Sequence, residues 1–303
     1  MTTRKAYLSL MLGAFIISFA PVFARLVQMS SGDAAAMGPT AAAFYRTLIG
    51  GIFLWGVLLI QKKKLFNVSK KVFYFAGLGA LFFAFDLTAW HRSIVLVGPG
   101  LAALLASFQV FILTLVGFFF LNEKPSLIQW IAIPFALLGL SLIVGLDFQN
   151  IDDDYLWGII LGLITACCYA GYVLSLRGAN KEELRHNIND PIRIMAIASL
   201  LTAGFLLMFT YGLGESFSVE QPIHWLWLIL LGIFCQAIAW VLISRSLPYV
   251  RAAHVGLIIL LQPIFAFVWD ILIFARGITN IELLGAVITV IAIYFGSVNK
   301  STE

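Results

Sequence analysis

Long stretches without charged side chains recur along this 303-residue chain, and they constrain its fold more than any other feature. A helix needs about 20 apolar residues to cross a membrane, because it rises about 1.5 Å per residue through about 30 Å of hydrocarbon. Ten stretches have this length, and none shows the alternation of polar and apolar residues expected of β-barrel strands. They lie at about 7–27, 41–60, 72–93, 98–121, 126–146, 156–176, 192–213, 224–244, 252–273 and 280–298. The sequence therefore predicts an all-α membrane protein with ten transmembrane helices.

The composition excludes a soluble globular domain. Hydrophobic residues make up 61% of the chain and charged residues only 11%, whereas soluble domains are about half apolar and about one quarter charged. The three cysteines fall within predicted spans, where we expect them to be small packing residues.

The positions of the basic residues predict the orientation. With ten spans, both termini lie on the same side of the membrane. If that side is the cytoplasm, every Lys and Arg except Arg25, Arg46, Arg92 and Arg276 falls in an inner segment. This distribution follows the positive-inside rule. The net charge of +4 therefore reflects membrane topology and does not indicate a nucleic-acid partner.

The two halves of the chain are related by a weak internal repeat. The segment FDLTAW at 85–90 aligns with CQAIAW at 235–240. Corresponding pairs are Asp86 with Gln236, Trp90 with Trp240 and, after a shift of three residues, Gln109 with Gln262. Each half has five spans, an odd number, so the second half enters the membrane from the opposite side. We therefore predict two inverted five-helix repeats, at 1–148 and 149–303, an arrangement typical of transporters that alternate access around a central site.

Three stretches of the sequence resemble the EamA-type branch of the drug/metabolite transporter superfamily. They are AAAFYRTLIGGIFL at 41–54, the long segment at 93–144 with its NEK boundary at Glu123, and SLPYVRAAHVGLIILLQPIFAFVWD at 246–270. The resemblance covers nearly the whole chain. It implies a secondary transporter in the bacterial plasma (inner) membrane, whose termini we expect in the cytoplasm from the distribution of the basic residues. It further implies a small organic substrate, an amino acid or related amphipathic compound, which is exported by alternating access.

Asp86 is the sharpest candidate for a functional residue. An ionised carboxylate within the bilayer costs several kcal/mol unless it is paired or hydrated, so such residues are functional candidates by default. One interpretation is a structural ion pair with Arg25, Arg46 or Arg92. The other is a substrate anchor or proton site in a central cavity, which is favoured because Gln236 occupies the equivalent position in the second half.

Two glutamines near the centres of spans 4 and 9 are further candidates. Gln109 and Gln262 would either recognise polar groups of a substrate or form hydrogen bonds between helices. Pro263 follows Gln262 directly, so we expect span 9 to be kinked there and to leave backbone carbonyls that need polar neighbours.

Aromatic and basic residues complete the candidate site. Four aromatic side chains in the spans could form its apolar walls, namely Trp90, Tyr169, Tyr172 and Trp240. We expect Arg46 to face the outer vestibule or the lipid headgroups, with a weaker case for it as the charge partner of Asp86. His254 in span 9 is a candidate proton site.

No sequence motif indicates catalysis, a metal site or a cofactor. The expected partners are therefore a small-molecule substrate, the lipid bilayer, and a proton or an exchanged counter-substrate as the source of energy. The small-residue pattern GIILG at 158–162 predicts close helix packing, either within the fold or in a homodimer. The rival functions are a flippase for lipid-like substrates, a passive metabolite channel and an integral membrane enzyme.

Overall fold

The computed structural model of the protein describes residues 1–29, 37–144, 153–186, 188, 190–219, 221–275 and 277–298. In these ranges the chain forms helices and short connections, without a β-strand. The helices are α1 (Thr3–Ile17), α2 (Ala20–Met29), α3 (Pro39–Ile60), α4 (Lys70–Ser107), α5 (Gln109–Phe120), α6 (Leu127–Val144), α7 (Asp153–Arg185), α8 (Pro191–Gly212), α9 (Pro222–Leu230), α10 (Ala239–Ser246), α11 (Ala252–Ile259), α12 (Leu261–Phe274) and α13 (Asn280–Val298). A π-helical segment, Leu231–Ile238, connects α9 to α10. The predicted repeat boundary between 148 and 149 lies outside the described residues.

The predicted ten-span, all-α architecture is confirmed. Among the described residues, nine helical stretches are long and apolar enough to cross a membrane, and a shorter tenth runs from Asn280 to Gly296. Except in its first and last turns, a helix satisfies every backbone N–H and C=O within the same segment, which is required where no water is available. Span 1 comprises α1 and α2, span 8 comprises α9, the π-helical segment and α10, and span 9 comprises α11 and α12.

The connection between spans 3 and 4 differs from the prediction. Helical backbone continues through residues 98–100, so that α4 carries all of span 3 and the first turns of span 4. The predicted end of span 3 at residue 93 is therefore too early. The connection, SIVLVGPG at 93–100, is almost as apolar as the spans themselves, and hydropathy cannot mark a boundary where apolar character does not change.

The helices form two compact units that do not coincide with the two halves of the sequence. The first unit contains Met1–Thr88 and Gly171–Tyr249, and the second contains Ala89–Ala170 and Val250–Glu303. Each unit therefore contains spans from both repeats, and α4 and α7 contribute to both units. The sequence repeat describes the order of the spans, whereas the packing groups them differently.

Within each unit, a span packs against its counterpart in the repeat. In the first unit α3 packs against α8, which are spans 2 and 7. In the second unit α6 packs against α13 and α5 against α11, which are spans 5 and 10 and spans 4 and 9. Contacts between equivalent helices are what a pseudo-twofold relation between two inverted repeats produces.

Small residues allow α6 and α13 to cross closely. A β-carbon added to Gly139 on α6 would lie 2.6 Å from the carbonyl oxygen of Gly285 on α13. At the same crossing the Thr289 hydroxyl donates to the carbonyl of Ala136 at 3.3 Å. Without a side chain at 139 and 285 the two backbones approach closely, as is typical of packed transmembrane helices.

The predicted small-residue pattern on α7 serves packing within the fold. In the second unit, a β-carbon added to Gly158 would lie 2.8 Å from the Cβ of Leu96, and one added to Gly162 would lie 2.7 Å from the Cβ of Leu105. The Ser93 hydroxyl donates to the carbonyl of Gly158 at 2.8 Å. The structure thus assigns the pattern GIILG to intramolecular contacts between α4 and α7.

Carboxylates bind the amino-terminal ends of two equivalent helices in the first unit. Glu215 accepts hydrogen bonds from the backbone N–H and the hydroxyl of Thr40 at the start of α3, both at 2.8 Å. Asp190 caps α8 by accepting from the backbone N–H of Arg193, and Lys63 forms a 2.8 Å salt bridge with it. These contacts supply partners for backbone groups that a helix cannot satisfy itself.

Candidate functional site

A buried polar network in the first unit centres on Arg46. The Nε–H of Arg46 on α3 donates to the side-chain oxygen of Gln236 at 3.1 Å. The amide nitrogen of Gln236 in turn donates to the hydroxyl of Ser199 on α8 at 3.1 Å. Gln236 and Ser199 are fully buried, and Arg46 is 8% exposed. The amide of Gln236 is therefore oriented from both ends.

Arg46 is also the positive charge that acts on Asp86. The carboxylate lies on α4 and is 3% exposed, and the guanidinium of Arg46 interacts with it electrostatically. Arg46 is among the three arginines that the sequence offered as charge partners, and the fold brings it close enough to act on Asp86. The expectation that Arg46 faces the outer vestibule or the headgroups is wrong, because its side chain is buried and hydrogen-bonded to Gln236. A buried carboxylate is far less costly beside an opposite charge than alone.

Three aromatic rings pack beside this network. Phe83 stacks on Tyr172 with ring centroids 4.2 Å apart, and Trp240 meets Tyr172 edge to face at 4.6 Å. The guanidinium carbon of Arg46 lies 5.7 Å from the centre of the Phe83 ring, within range of a cation–π interaction. All three rings are at most 2% exposed. Tyr172 and Trp240 therefore form an aromatic cluster whose members cover one another.

The position of Gln236 depends on an unusual stretch of span 8. Gln236 belongs to the π-helical segment, a form that is rare and that occurs mostly as single turns within α-helices, often at functional sites. This segment crosses α3 at two glycines. A β-carbon added to Gly50 would lie 2.7 Å from the Cγ of Gln236 and 2.8 Å from the carbonyl oxygen of Gly232. The absence of a side chain at 50 makes room for the Gln236 side chain next to α3.

In the second unit, two of the predicted residues form a hydrogen bond with each other. The side-chain amide of Gln262 on α12 donates to the hydroxyl of Tyr169 on α7 at 3.2 Å. Both side chains belong to the candidate set derived from the sequence, and the fold brings them together. In the same unit Trp90 packs edge to face on His91, with ring centroids 5.0 Å apart.

Gln109 presents a buried acceptor. Its side chain is 3% exposed, and its oxygen has no hydrogen-bond partner within the part of the chain that the structure describes. The residue begins α5, directly after an interruption of span 4 at Phe108, whose N–H donates to the carbonyl of Leu105 at 3.1 Å. Leaving such an acceptor unpaired costs about 1–3 kcal/mol. A donor from a substrate or a water molecule would therefore bind there favourably.

Span 9 is interrupted just before Gln262, the counterpart of Gln109, as span 4 is interrupted just before Gln109. Helix α11 ends at Ile259 and α12 begins at Leu261, and the N–H of Leu260 donates to the carbonyl of Leu257 at 3.1 Å. The sequence predicted a kink at Pro263, and the interruption lies three residues before it, at Leu260. Pro263 has no N–H to donate to the carbonyl of Ile259, four residues earlier. The matching interruption of span 4 involves no proline at that point and was not predicted. Paired interruptions in equivalent spans are a feature of transporters built from inverted repeats.

His254 lies at the beginning of span 9. It is the third residue of α11, and it is 6% exposed. Glu123, which follows span 4, accepts a hydrogen bond from the backbone N–H of Ala252 at 2.7 Å and so binds the amino-terminal end of α11. The charges of Arg251 and Glu123 both act on the imidazole. His254 therefore sits in a charged environment at a helix end, away from the middle of the span.

Sequence reasoning missed two members of the first-unit site. Ser199 binds Gln236, and Phe83 contacts Arg46, Tyr172 and Trp240. Ser199 is an isolated serine in an apolar helix, and Phe83 is one of 26 phenylalanines. No spacing or motif distinguishes either residue, so only the packing could identify them.

Comparison with known proteins is consistent with this architecture. A model of the EamA-like transporter family matches the chain twice, over residues 4–145 and 156–298. The chain is 24% identical over 254 residues to the uncharacterized transporter YoaV of Bacillus subtilis, covering 83% of this chain and 85% of that protein. It is 26% identical over 165 residues to an uncharacterized transporter of Archaeoglobus fulgidus, covering 54% and 55% of the two chains.

A solved crystal structure shares the fold. It superimposes with a TM-score of 0.80, covering 98% of this chain and 97% of the other, at 16% sequence identity. The two family matches divide the chain into five-span repeats, and the buried polar residues lie on helices of both. Together with the nine long and one shorter apolar helices of the described residues, these findings show that the chain belongs to the EamA-like transporter family and is a multi-pass membrane transporter of the drug/metabolite transporter type.

Proposed function

We propose that this protein is a secondary-active exporter of a small organic metabolite, an amino acid or related amphipathic compound, that works by alternating access. The observation that carries the proposal is the Arg46 network of the first unit, in which Asp86, Gln236 and Ser199 are buried within apolar helices. Polar and charged groups are costly inside a membrane and are usually retained there for function.

Two further features support a role in transport over one in stability alone. Asp86 and Gln236 occupy equivalent positions of the two repeats, so the polar set follows the pseudo-symmetry that transporters use for their sites. In addition, the side-chain oxygen of Gln109 is buried and has no partner among the described residues. A purely structural glutamine would normally be satisfied.

The proposed roles follow from the chemistry of each side chain. Asp86, Gln109, Gln236 and Gln262 offer hydrogen bonds to polar groups of the substrate, and Asp86 is in addition the proposed proton site. The proposed apolar contacts are Trp90 and Tyr169 in the second unit and Tyr172 and Trp240 in the first. Arg46 is the charge partner of Asp86, and His254 is a second candidate for proton exchange.

The proposed setting is the bacterial plasma membrane, with both termini in the cytoplasm. The bias of Lys and Arg towards the inner segments supports this orientation. A proton, or a counter-substrate that is exchanged, would supply the energy for export.

Transport by purified protein in liposomes tests the proposal. A panel of amino acids and related metabolites would be assayed with and without a pH gradient, for the wild type, for Asp86→Asn and for Asp154→Asn as a control. Asp154 is an exposed carboxylate in the first turn of α7. We expect saturable transport that exceeds protein-free liposomes, that falls at least about tenfold in Asp86→Asn, and that is unchanged in Asp154→Asn.

The alternatives give different results in the same liposomes. A passive channel would give flux that rises linearly with concentration and shows no counter-transport. A flippase would move fluorescent lipid analogues between leaflets but no soluble metabolite. Transport and pH response that survive in Asp86→Asn would refute the role of Asp86.

A further inference from the structure

The π-helical segment of span 8 contains Gln236, whose side chain forms two hydrogen bonds within the first unit. In an α-helix each N–H bonds to the carbonyl four residues earlier, whereas in a π-helix it bonds to the fifth. The segment Leu231–Ile238 therefore accommodates its residues in wider turns than α9 and α10 on either side. Such a wide turn is less stable than α-helix, and it needs contacts outside the helix to persist.

Two hydrogen bonds connect the side chain of Gln236 in this segment to neighbouring helices. Arg46 on α3 donates to the side-chain oxygen of Gln236, and Ser199 on α8 accepts from its nitrogen, each at 3.1 Å. Gly50 and Gly232 bring α3 and the segment close enough for the first of these bonds. The side chain of Gln236 therefore connects the segment to both α3 and α8.

The two bonds differ in what their loss would leave behind. Arg46 also interacts with Asp86 and with the Phe83 ring, so its charge remains compensated without Gln236. Release of Gln236 from Ser199 leaves a neutral buried hydroxyl unpaired, which costs less than leaving a charged donor without its partner. The bond to Ser199 is therefore the weaker of the two bonds that hold Gln236.

We infer that Ser199 is a positioning residue for Gln236, which with Arg46 holds the π-helical segment closed, and that release of this bond lets the segment open locally while the protein stays folded. The inference rests on the proposed function only in treating Gln236 as a substrate contact. Ser199 belongs to no recognisable sequence motif, yet it would determine when the Gln236 side chain is free to contact a substrate.

A natural cysteine reports on this opening. Cys235 precedes Gln236 within the segment and is fully buried, with its thiol 3.7 Å from the carbonyl oxygen of Ile16. Its thiol reacts with N-ethylmaleimide only when the segment opens or the whole protein unfolds. The experiment uses the full chain in detergent micelles with Cys167→Ser and Cys168→Ser, so that Cys235 is the one remaining thiol, and follows alkylation by mass spectrometry.

Ser199→Ala and Thr202→Ala form the matched comparison. Both residues lie on α8 and are fully buried, but the Thr202 hydroxyl donates to backbone carbonyls of Ala198 at 2.8 Å and Ala80 at 3.3 Å. We expect Ser199→Ala to raise the alkylation rate of Cys235 about five- to tenfold, the effect of losing one buried hydrogen bond. Thr202→Ala should leave the rate unchanged, and Ser199→Thr, which keeps a hydroxyl, should restore it.

Thermal unfolding of the same variants separates local from global opening. If both alanine variants shift the unfolding temperature equally while only Ser199→Ala accelerates alkylation, the positioning role is supported. Equal alkylation rates in the two variants, or rates that simply follow the unfolding temperature, would overturn the inference. Because alkylation requires no substrate, this outcome is independent of whether the liposome assay detects transport.

Discussion

Replacing Gly50 by alanine should disturb the Arg46 network more than any other single methyl group on α3. The new β-carbon would lie 2.7 Å from the Cγ of Gln236 and 2.8 Å from its Cβ and from the carbonyl oxygen of Gly232. These distances are well below van der Waals contact, so either the Gln236 side chain or the helix crossing must move. In both cases the hydrogen bond from Arg46 is expected to break.

Three contributions determine how much Gly50→Ala changes the free energy of unfolding. Alanine is favoured over glycine in a helix interior by about 0.8–1 kcal/mol, which opposes the damage. Overpacking a close contact costs about 1–3 kcal/mol, and losing a hydrogen bond from a charged donor costs a further 1.5–3 kcal/mol or so. We therefore expect Gly50→Ala to lower the free energy of unfolding by about 1.5–5 kcal/mol.

The same helix provides a control. A β-carbon added to Gly56 would meet no atom within 4 Å, so Gly56→Ala should leave the stability unchanged or raise it by up to about 1 kcal/mol. Equilibrium unfolding by sodium dodecyl sulfate in mixed micelles, followed by tryptophan fluorescence, measures both variants. Equal stability of Gly50→Ala and Gly56→Ala would show that the crossing relaxes without cost, and the reasoning from close approach would be wrong.

Two further predictions concern other contacts between distant parts of the chain. Glu215→Gln should lower the free energy of unfolding by about 1–3 kcal/mol, because the carboxylate that accepts two hydrogen bonds from Thr40 loses its charge at the start of α3. The same titration with sodium dodecyl sulfate measures this change. A variant as stable as the wild type would mean that water replaces the contact. Gly139→Ala should lower the free energy of unfolding by about 1–3 kcal/mol, because its methyl group would lie 2.6 Å from the carbonyl oxygen of Gly285. Gly204→Ala, whose methyl group meets nothing within 4 Å, should cost nothing, and equal effects of the two would refute close packing of α6 and α13.

The polar candidates show where sequence reasoning reaches its limit. Asp86, Gln109, Gln236 and Gln262 are conspicuous in the sequence because each interrupts a long apolar stretch, and all four lie on helices of the fold. Their partners were not predictable, since a partner can come from any helix that packs nearby. Of three arginines considered for Asp86, the structure brings Arg46 to it.

The sequence by itself determined the class of the protein. The length of a span and the cost of leaving backbone groups unpaired in lipid are properties of any chain, so apolar stretches of about 20 residues dictate ten helices whatever their packing. Likewise, an odd number of spans in each repeat dictates inversion.

Only the tertiary structure decided how these helices are grouped and which side chains meet. Apolar helices in a membrane have no hydrophobic reason to choose one neighbour over another, so their pairing depends on local shape, such as the absence of a side chain at Gly50, and on hydrogen bonds between helices. For this reason the two compact units mix spans of both repeats, and for the same reason Ser199 and the π-helical segment could be recognised only after the packing was known.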